Sequence, residues 1–356
     1  MRTRKFLSFF IFGLLFISAF FFGCGSPSQQ KNDTGSVTNK QEAGSTASYT
    51  ITDLTGAKVT FSAKPKKILT FSMYTDQIVL GLVTSDHMAG INVLLEDSDE
   101  SNIVFIAKKV PRKVGNPGAE EVLAMKPDIV IVSDWTDAAK VQSMRDLGLK
   151  VVTVKAPQTI QDAKDAVSQI AAAIGEPEKG RQLIALMDKK LEEIREKTSK
   201  IKAEDRKNVV LLSLMTNYGG SGCAYDAACK EANVINGIAA AGLKNGQYLT
   251  KEMLIKINPD VMLMPVYSAQ GTYDTKGFID SYLKDPSLQV VSAIKNKQLI
   301  FLICYGQSRV IRKIKLFSVS AAGDFLHAVH DVLGTIVNEL FPRIDELFVF
   351  DCRNNL

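Results

Sequence analysis

The side chains best suited to chemistry in this sequence are aromatic and polar residues that follow apolar runs. The sequence contains no candidate Ser-His-Asp triad and no dinucleotide-binding G-x-G-x-x-G motif after a predicted strand. The Gly-rich segment 219–222 lacks the Lys-Ser/Thr of a phosphate-binding loop. Two of the three histidines, His327 and His330, lie one helical turn apart without an evident third ligand, so we interpret them as surface residues. The sequence favours binding over catalysis.

Trp135, the single tryptophan, directly follows the apolar run 129–132 in the polar sequence Ser-Asp-Trp-Thr. Because this context is unsuited to a core, we predict that the indole contacts a ligand, and the alternative is packing on the lobe surface. Tyr218 lies in a Gly-rich loop after another apolar run, where it is either a binding residue or a turn residue. Ser72 follows the run 68–71 and is either a binding residue or only a helix N-cap.

Two segments of the chain repeat one pattern 132 residues apart. Each begins with a glutamate, Glu120 or Glu252, continues as a short amphipathic helix, and reaches Pro-Asp at the same offset before an apolar run. Proline disfavours the α conformation in the preceding residue and so ends the helix, and the apolar run predicts a buried parallel strand. The repeat therefore predicts two similar α/β lobes, which usually bind a ligand in the crevice between them.

Alternating strand and helix patterns predict a parallel sheet with helices on both faces. The predicted elements are a hairpin over 49–61, strands over 68–71, 129–132, 151–154, 209–214, 261–264 and 299–302, and helices over 76–82, 138–147, 159–174, 178–203, 227–241 and 278–283. The helix over 178–203 would span ~39 Å at ~1.5 Å per residue and would act as a strut between the lobes. A coiled-coil arm is the alternative, although its apolar stripe is irregular.

The beginning of the chain has the composition of an export signal. Arg2, Arg4 and Lys5 precede an uninterrupted apolar stretch over 6–22, and Gly23-Cys24 follows. A cysteine after a small residue resembles a bacterial lipobox, which implies that Cys24 is lipidated, and an uncleaved signal anchor is the alternative. The next segment, 25–48, is rich in Gly, Ser and Thr, and we predict a disordered tether.

The body of the chain has the composition of an ordinary globular protein. The whole chain of 356 residues has 23% charged and 46% apolar residues and a net charge of +5. It has no basic stripe interleaved with aromatics, so we expect no nucleic-acid binding. Cys223 and Cys229 are separated by five residues, and export to an oxidising compartment makes them a candidate disulfide. A metal site there would need further ligands.

Several segments together resemble the bacterial ABC-transporter substrate-binding lipoproteins for iron-siderophores, haem and cobalamin. The resemblance covers about residues 49 to 302 and rests on the Glu-to-Pro-Asp repeat, the long central helix, and three further matches: Asp53-Leu54-Thr55-Gly56, Lys64-Pro65-Lys66-Lys67-Ile68 and Ala293-Ile294-Lys295-Asn296-Lys297-Gln298. It implies two Rossmann-like α/β lobes joined by one long helix, with a ligand cleft between them.

The resemblance also implies site residues and partners. Glu120 and Glu252 would dock arginines of the permease through charge-assisted pairs, although glutamate at a helix start also simply complements the helix dipole. A bulky metal chelate would be bound at the carboxyl ends of strands, and the candidates there are Ser72, Met73, Tyr74, Trp135, Asn217, Tyr218, Tyr267 and Tyr273. We expect a monomeric, lipid-anchored, non-enzymatic protein on the outer face of the membrane, with no cofactor and no resident metal.

The resulting domain prediction is a signal peptide over 1–24, a tether over 25–48, lobes over 49–177 and 205–356, and a connecting helix over 178–204. The tail from 303 to 356 departs from the family pattern and is either a divergent lobe closure or a frameshifted segment. Two alternative functions remain open. One is capture of a free metal ion, for which lobe one offers only His87, and the other is an extracytoplasmic enzyme or sensor on the same scaffold.

Overall fold

In this computed structural model, the described residues are 48–97, 101, 103–265 and 274–302. The chain divides into two units, Met1–Ser45 and Thr46–Leu356, and the described elements all lie in the second unit. The predicted signal peptide, Cys24, nearly all of the tether and the tail beyond residue 302 therefore lie outside the described residues, as do Tyr267 and Tyr273.

Lobe one is a parallel sheet flanked by helices, with an antiparallel hairpin beside it. Its strands are β1 (Tyr49–Thr52), β2 (Lys58–Phe61), β3 (Ile68–Thr70), β4 (Met88–Asn92), β5 (Lys113–Val114), β6 (Ile129–Ser133) and β7 (Val151–Val154). Its helices are α1 (Met73–Leu82), α2 (Val104–Ala107), α3 (Ala119–Ala124), α4 (Ala138–Asp146) and α5 (Ile160–Ala173). Within the described residues, the parallel sheet has the order β5-β4-β3-β6-β7, and every residue of β3, β6 and β7 is buried. Burial on both faces explains the unbroken apolar runs in the sequence.

The hairpin of β1 and β2 is fastened to the sheet by Asp53, the first residue of its turn. The buried carboxylate accepts hydrogen bonds from the backbone N–H groups of Thr55, Ala57 and Thr153, and it pairs with Arg145 at 2.7 Å. Burial alone would raise the pKa of Asp53, but these hydrogen bonds and the guanidinium together hold it below its ordinary value. The Asp-Leu-Thr-Gly segment thus has a structural role in lobe one.

The long helix α6 (Pro177–Thr198) stands between the elements of the two lobes in chain order. Gly180 lets it approach α5 closely, because a Cβ at this position would lie 2.5 Å from the Cβ of Ala171. Leu183 and Met187 on the same face belong to the lobe-one core. The helix is shorter at its end than the predicted 178–203, because the chain turns at Ser199 and enters a 3₁₀ turn over Ala203–Asp205.

Lobe two repeats the arrangement with fewer described strands. They are β8 (Asn208–Leu211), β9 (Ile235–Asn236), β10 (Val261–Pro265) and β11 (Leu299–Leu302), all parallel, in the order β11-β10-β8-β9 among the described residues. The helices are α7 (Ala224–Glu231), α8 (Gly237–Ala240), α9 (Lys251–Ile257), α10 (Thr275–Leu283) and α11 (Ser292–Lys295). In lobe two the first strand, β8, pairs with the strand of the repeat, β10. The equivalent strands of lobe one, β3 and β6, pair in the same way.

The predicted helix over 227–241 is wrong, because this segment forms α7, the short strand β9 and α8. Asn233, the residue after the C-cap of α7, adopts a left-handed conformation with φ 53° and ends that helix. Asn236 then caps α8, since its side-chain oxygen accepts hydrogen bonds from the backbone N–H groups of Ile238 and Ala239. One asparagine thus ends α7 and the other starts α8, so that a short strand forms between them. The alanines of the segment are, by contrast, typical of one continuous helix.

Two further differences concern lobe one. Helix α1 begins at Met73 rather than at residue 76, so Met73 and Tyr74 belong to its first turn, and Ser72 is the N-cap residue. Strands β4 and β5 were not predicted. In β4, Gly90 faces the neighbouring strand, where a Cβ would lie 3.0 Å from Cδ1 of Leu69. A glycine in a strand interior that permits such an approach weakens the sequence signal for a strand.

Candidate functional site

The Glu-to-Pro-Asp repeat has the same local structure in both lobes. Each copy forms a short helix, α3 or α9, and the residue before the proline, Lys126 or Asn258, has a left-handed conformation with φ of 52° or 45°. The proline therefore ends each helix through a left-handed turn rather than through the extended conformation expected before proline. The similarity of the two sequences thus extends to an unusual backbone conformation.

The aspartate of each Pro-Asp pair joins two neighbouring strands. Asp128 precedes β6, and its carboxylate accepts hydrogen bonds from the backbone N–H groups of Lys66 and Lys67 at 2.8 Å each, just before β3. Asp260 precedes β10 and accepts from the backbone N–H of Asn208 in β8 at 2.8 Å. Each aspartate therefore fixes the register between the first strand and the repeat strand of its lobe.

The two glutamates of the repeat are exposed in the first turns of their helices. Backbone and Thr250 side-chain hydrogen bonds at the start of α9, with Lys251 and Lys256 nearby, lower the pKa of Glu252 below its ordinary value. The residue two positions later, Val122 or Leu254, is buried at 0% exposure and holds the helix on its lobe. Both carboxylates are thus displayed at fixed positions on anchored helices.

A pocket lies at the topological switch point of the lobe-one sheet. From β3 the chain moves to β4 on one side, and later returns to β6 on the other side. The carboxyl ends of β3 and β6 therefore diverge into a crevice, which is the usual ligand position in open α/β sheets. The cavity has a volume of about 410 Å³ and is lined by Phe71, Ser72, Gly115, Asn116, Val132, Ser133, Trp135, Thr136, Asp137 and Lys140.

The floor of the pocket contains a network of hydroxyl groups. Ser133, which is 2% exposed, places Oγ at 3.1 Å from both Ser72 Oγ and the Tyr74 hydroxyl. The Tyr74 hydroxyl donates to the carbonyl oxygen of Val154 at 3.3 Å, and burial raises the pKa of Tyr74 to about 12, so the phenol stays protonated at neutral pH. Ser72 Oγ also lies 2.7 Å from Thr75 Oγ1. This network fixes the positions of the pocket hydroxyls.

Trp135 forms an exposed wall of the pocket and is 64% accessible to solvent. Its ring meets Tyr74 edge to face, with centroids 5.6 Å apart and an interplanar angle of 66°. Met73, another predicted binding residue, packs against the lobe-one core instead. The structure thus brings Ser72 and Trp135 to the pocket, whereas Met73 and Tyr74 both pack against the lobe-one core and do not line it.

Lys140, in the first turn of α4, is the cationic side chain lining the pocket. Its Nζ donates a hydrogen bond to Asn116 Oδ1 at 2.5 Å and lies 5.2 Å from the centroid of the Phe71 ring. Desolvation lowers the pKa of Lys140, whereas the nearby carboxylates of Glu121 and Asp137 act to raise it. Sequence reasoning missed this residue, because a lysine in a polar helix turn is typical of a solvated surface.

In lobe two, the loop after β8 contains the predicted residues Asn217 and Tyr218, both half-buried. The carbonyl oxygen of Asn217 accepts from the backbone N–H of Gly246 at 2.7 Å. Burial raises the pKa of Tyr218 to about 12, with Cys223 adding to the increase. The more accessible side chains at this edge are Met215 and Tyr248, at 64% and 65% exposure, which sequence reasoning did not select.

The predicted disulfide is not formed, since Cys223 and Cys229 are free and buried thiols. Cys223 is the N-cap residue of α7 and Cys229 lies six residues later in the same helix. At ~1.5 Å of rise per residue their Cα atoms are ~9 Å apart, beyond the ~7 Å that a disulfide can bridge. Burial raises the pKa of Cys229 to about 12, which makes the thiol unreactive at neutral pH.

The described residues contain neither a cluster of metal-ligating side chains nor a helix that could span a membrane. Among these residues, no group of three or more His, Cys, Asp or Glu side chains is arranged to hold a metal ion. No helix in the described part of the chain is long and apolar enough to cross a bilayer.

Two parallel-sheet lobes with equivalent strand order, and a pocket at the switch point, define the class of two-lobed α/β binding proteins. The chain belongs to the periplasmic binding protein family, which matches residues 70–303. It is similar to the ABC transporter substrate-binding lipoprotein YvrC of Bacillus subtilis (strain 168), with 28% identity over 257 residues, covering 70% of this chain and 78% of YvrC.

Solved structures show the same fold at low sequence identity. The molybdate-bound periplasmic binding protein MolA of Haemophilus influenzae has a TM-score of 0.60 and 17% identity, covering 84% of this chain and 93% of MolA. The periplasmic haem-binding protein RhuT of Roseiflexus sp. RS-1, in its apo form, has a TM-score of 0.58 and 20% identity, covering 77% of this chain and 99% of RhuT.

Proposed function

We propose that this chain is the substrate-binding component of an ABC importer, anchored by a lipid at the outer face of the membrane, and that it carries a metal chelate of the iron-siderophore, haem or cobalamin type. The observation that carries the proposal is the repeat. Its aspartates join strands, its prolines end helices and its apolar residues fill the cores, whereas Glu120 and Glu252 remain exposed. Two exposed carboxylates at equivalent positions suit docking to basic residues of one partner.

The pocket supports a chelate rather than a bare ion. Its volume of about 410 Å³ falls in the range of about 300–1,000 Å³ for small-molecule sites. A bare hydrated ion would leave most of this space unused, whereas Phe71 and Trp135 offer aromatic surface to an organic ligand. The similarity to the lipoprotein YvrC supports both the transporter role and the lipid anchor on Cys24.

The docking role is tested by charge reversal. Glu120→Arg combined with Glu252→Arg should abolish uptake of a radiolabelled chelate by cells that express the importer. Neither glutamate lines the pocket, so the affinity of the purified chain should stay within a few-fold. The control is Glu196→Arg with Glu204→Arg, which changes the net charge equally at exposed positions outside the repeat. Uptake that survives the first pair of substitutions contradicts the docking role.

The ligand class and the anchor have separate tests. Calorimetric titration with ferric siderophores, haem and cobalamin should give micromolar or tighter binding for one class. Tight binding of a bare ferric, zinc or manganese ion, with no response to any chelate, would favour free-metal capture instead. Mass spectrometry of the membrane fraction should find a diacylglyceryl group on Cys24, and an unmodified, soluble mature chain would refute the anchor.

A further inference from the structure

The environment of Lys140 suits the binding of an external anion. The ammonium lies at the pocket, over the Phe71 ring, and its Nζ donates to the neutral amide oxygen Asn116 Oδ1 at 2.5 Å. An ammonium has three N–H donors, so this contact leaves donors for a ligand. Two carboxylates, Glu121 and Asp137, lie near this ammonium. One oxygen of Asp137 is already used, because its Oδ1 accepts from the backbone N–H of Lys140 as the cap of α4.

Asn116 adds neutral donors beside this charge. Because its Oδ1 accepts from Lys140, the amide group is oriented with its two N–H donors on the other side. Asn116 also lines the pocket, so both side chains border the same cavity. By contrast, the hydroxyls of Ser72 and Ser133 are 3.1 Å apart and bond within their own network. The anion-binding donors are therefore Lys140 and Asn116 rather than the serines.

Lys150, also in lobe one, makes a similar lysine–phenylalanine contact away from the pocket. Lys150 Nζ lies 5.0 Å from the centroid of the Phe61 ring, close to the 5.2 Å between Lys140 and Phe71. Lys150, however, does not line the pocket. The two lysines thus make similar cation–π contacts, and of the two only Lys140 also lines this pocket.

We propose that Lys140 and Asn116 bind an anionic group of the transported ligand, so that the substrate is an anionic chelate with carboxylate groups or a similar oxyanion. The inference rests on the proposed function and narrows its substrate class. The same chemistry also fits an inorganic oxyanion such as molybdate, because Lys140 and Asn116 recognise negative oxygen atoms rather than the rest of the molecule.

The test compares ligands that differ in charge. Isothermal titration of the mature chain uses haemin, haemin dimethyl ester, a cationic ferric hydroxamate chelate and sodium molybdate. The ester keeps the macrocycle and the iron but lacks the two carboxylates. The variants are Lys140→Met, which removes the charge at similar length, Lys140→Arg, which restores it, and Lys150→Met as the matched control. Circular dichroism and urea midpoints confirm that each variant is folded.

The expected result is that haemin binds and that Lys140→Met weakens it about 10- to 100-fold, the range for one charged hydrogen bond. Lys140→Arg should recover most of this loss, Lys150→Met should have no effect, and the ester should bind weakly and without dependence on Lys140. Molybdate that binds with the same dependence, while no chelate binds, supports the anion site and overturns the chelate proposal.

Other results overturn the inference. Equal affinity of haemin and its ester, or equal affinity in wild type and Lys140→Met, removes the anion role and leaves the proposed function standing. Binding of only the cationic chelate likewise contradicts the anion-binding role and leaves the proposed function standing. Failure of every probe overturns the inference, whereas the proposed function is then decided by the separate titration with ferric siderophores and cobalamin.

Discussion

Replacing Trp135 by alanine separates a ligand contact from a folding contact. The side chain is 64% exposed, so its removal should cost little beyond the edge-to-face contact with Tyr74. Such a contact contributes about 0.5–1.5 kcal/mol. We therefore expect the free energy of unfolding of Trp135→Ala to fall by about 1 kcal/mol or less.

The loss of ligand affinity should be larger and can be worked from the exposed fraction. An aromatic side chain offers about 200 Å² of surface, so 64% exposure leaves about 130 Å² for a ligand to cover. Full coverage would contribute about 3 kcal/mol at ~25 cal/mol per Å², and coverage of one ring face about half of that. A loss of about 1.5 kcal/mol corresponds to roughly a tenfold weaker Kd.

Calorimetric titration of the bound chelate measures this difference, with urea unfolding of the same preparations. Phe105→Ala is the matched control, because Phe105 is 54% exposed, carries Lys109 over its ring at 4.6 Å and does not line the pocket. The control should lose similar stability and no affinity. If Trp135→Ala binds within twofold of the wild type, the indole does not contact the ligand and the assignment of the pocket wall is wrong.

Three predictions concern stability. Asp53→Asn should cost about 3 kcal/mol at pH 7, and the difference from wild type should vanish as pH falls through the lowered pKa of Asp53 in urea titrations. Asp76 is fully buried and its pKa is well raised, so wild-type stability should fall as pH rises above about 4, and Asp76→Asn should remove this slope. Gly220→Ala should cost about 1–3 kcal/mol because its Cβ would overlap the Lys244 carbonyl, whereas Gly115→Ala, with open space, should keep its melting temperature. A steep pH slope in Asp76→Asn, or equal midpoints for the two glycine variants, would contradict these arguments.

The fold was predictable where the apolar pattern was long and unbroken. The run 129–132 corresponds to β6, 151–154 is β7, and the helix predicted over 159–174 is α5 with Thr159 as its N-cap. These segments carry strong signals, because a strand buried on both faces is uniformly apolar and a capped amphipathic helix is periodic. The parallel sheets in two lobes were predicted correctly for this reason.

The remainder depended on contacts that the sequence does not display. Strand β4 contains Gly90, whose place in the sheet is decided by Leu69 on the neighbouring strand. The break between α7 and α8 depends on the left-handed conformation of Asn233, which an Ala-rich pattern hides. In both segments, tertiary packing rather than local propensity determines the secondary structure.

The candidate site was predictable only in part. The position of Trp135 at the pocket was predictable because a single tryptophan in a polar segment after a buried strand is unusual, and that of Ser72 because it directly follows a strand. Their contact with a ligand stays a prediction. Lys140 and Asn116 were missed, since their proximity arises from the pairing of separate β-α units. The predicted docking of Glu120 and Glu252 stays a prediction.

Helix α6 is tied to a different set of elements at each end. At its start, Glu176 pairs with Lys64 at 2.7 Å and with Lys179 at 3.2 Å. At its end, Arg195 binds Glu231 of α7 through two nitrogen atoms at 2.7 and 2.9 Å. Unfolding of either lobe would therefore free one end of α6 from its partners. In thermodynamic terms, we expect α6 to couple the unfolding of the two lobes, so that part of their stability is shared.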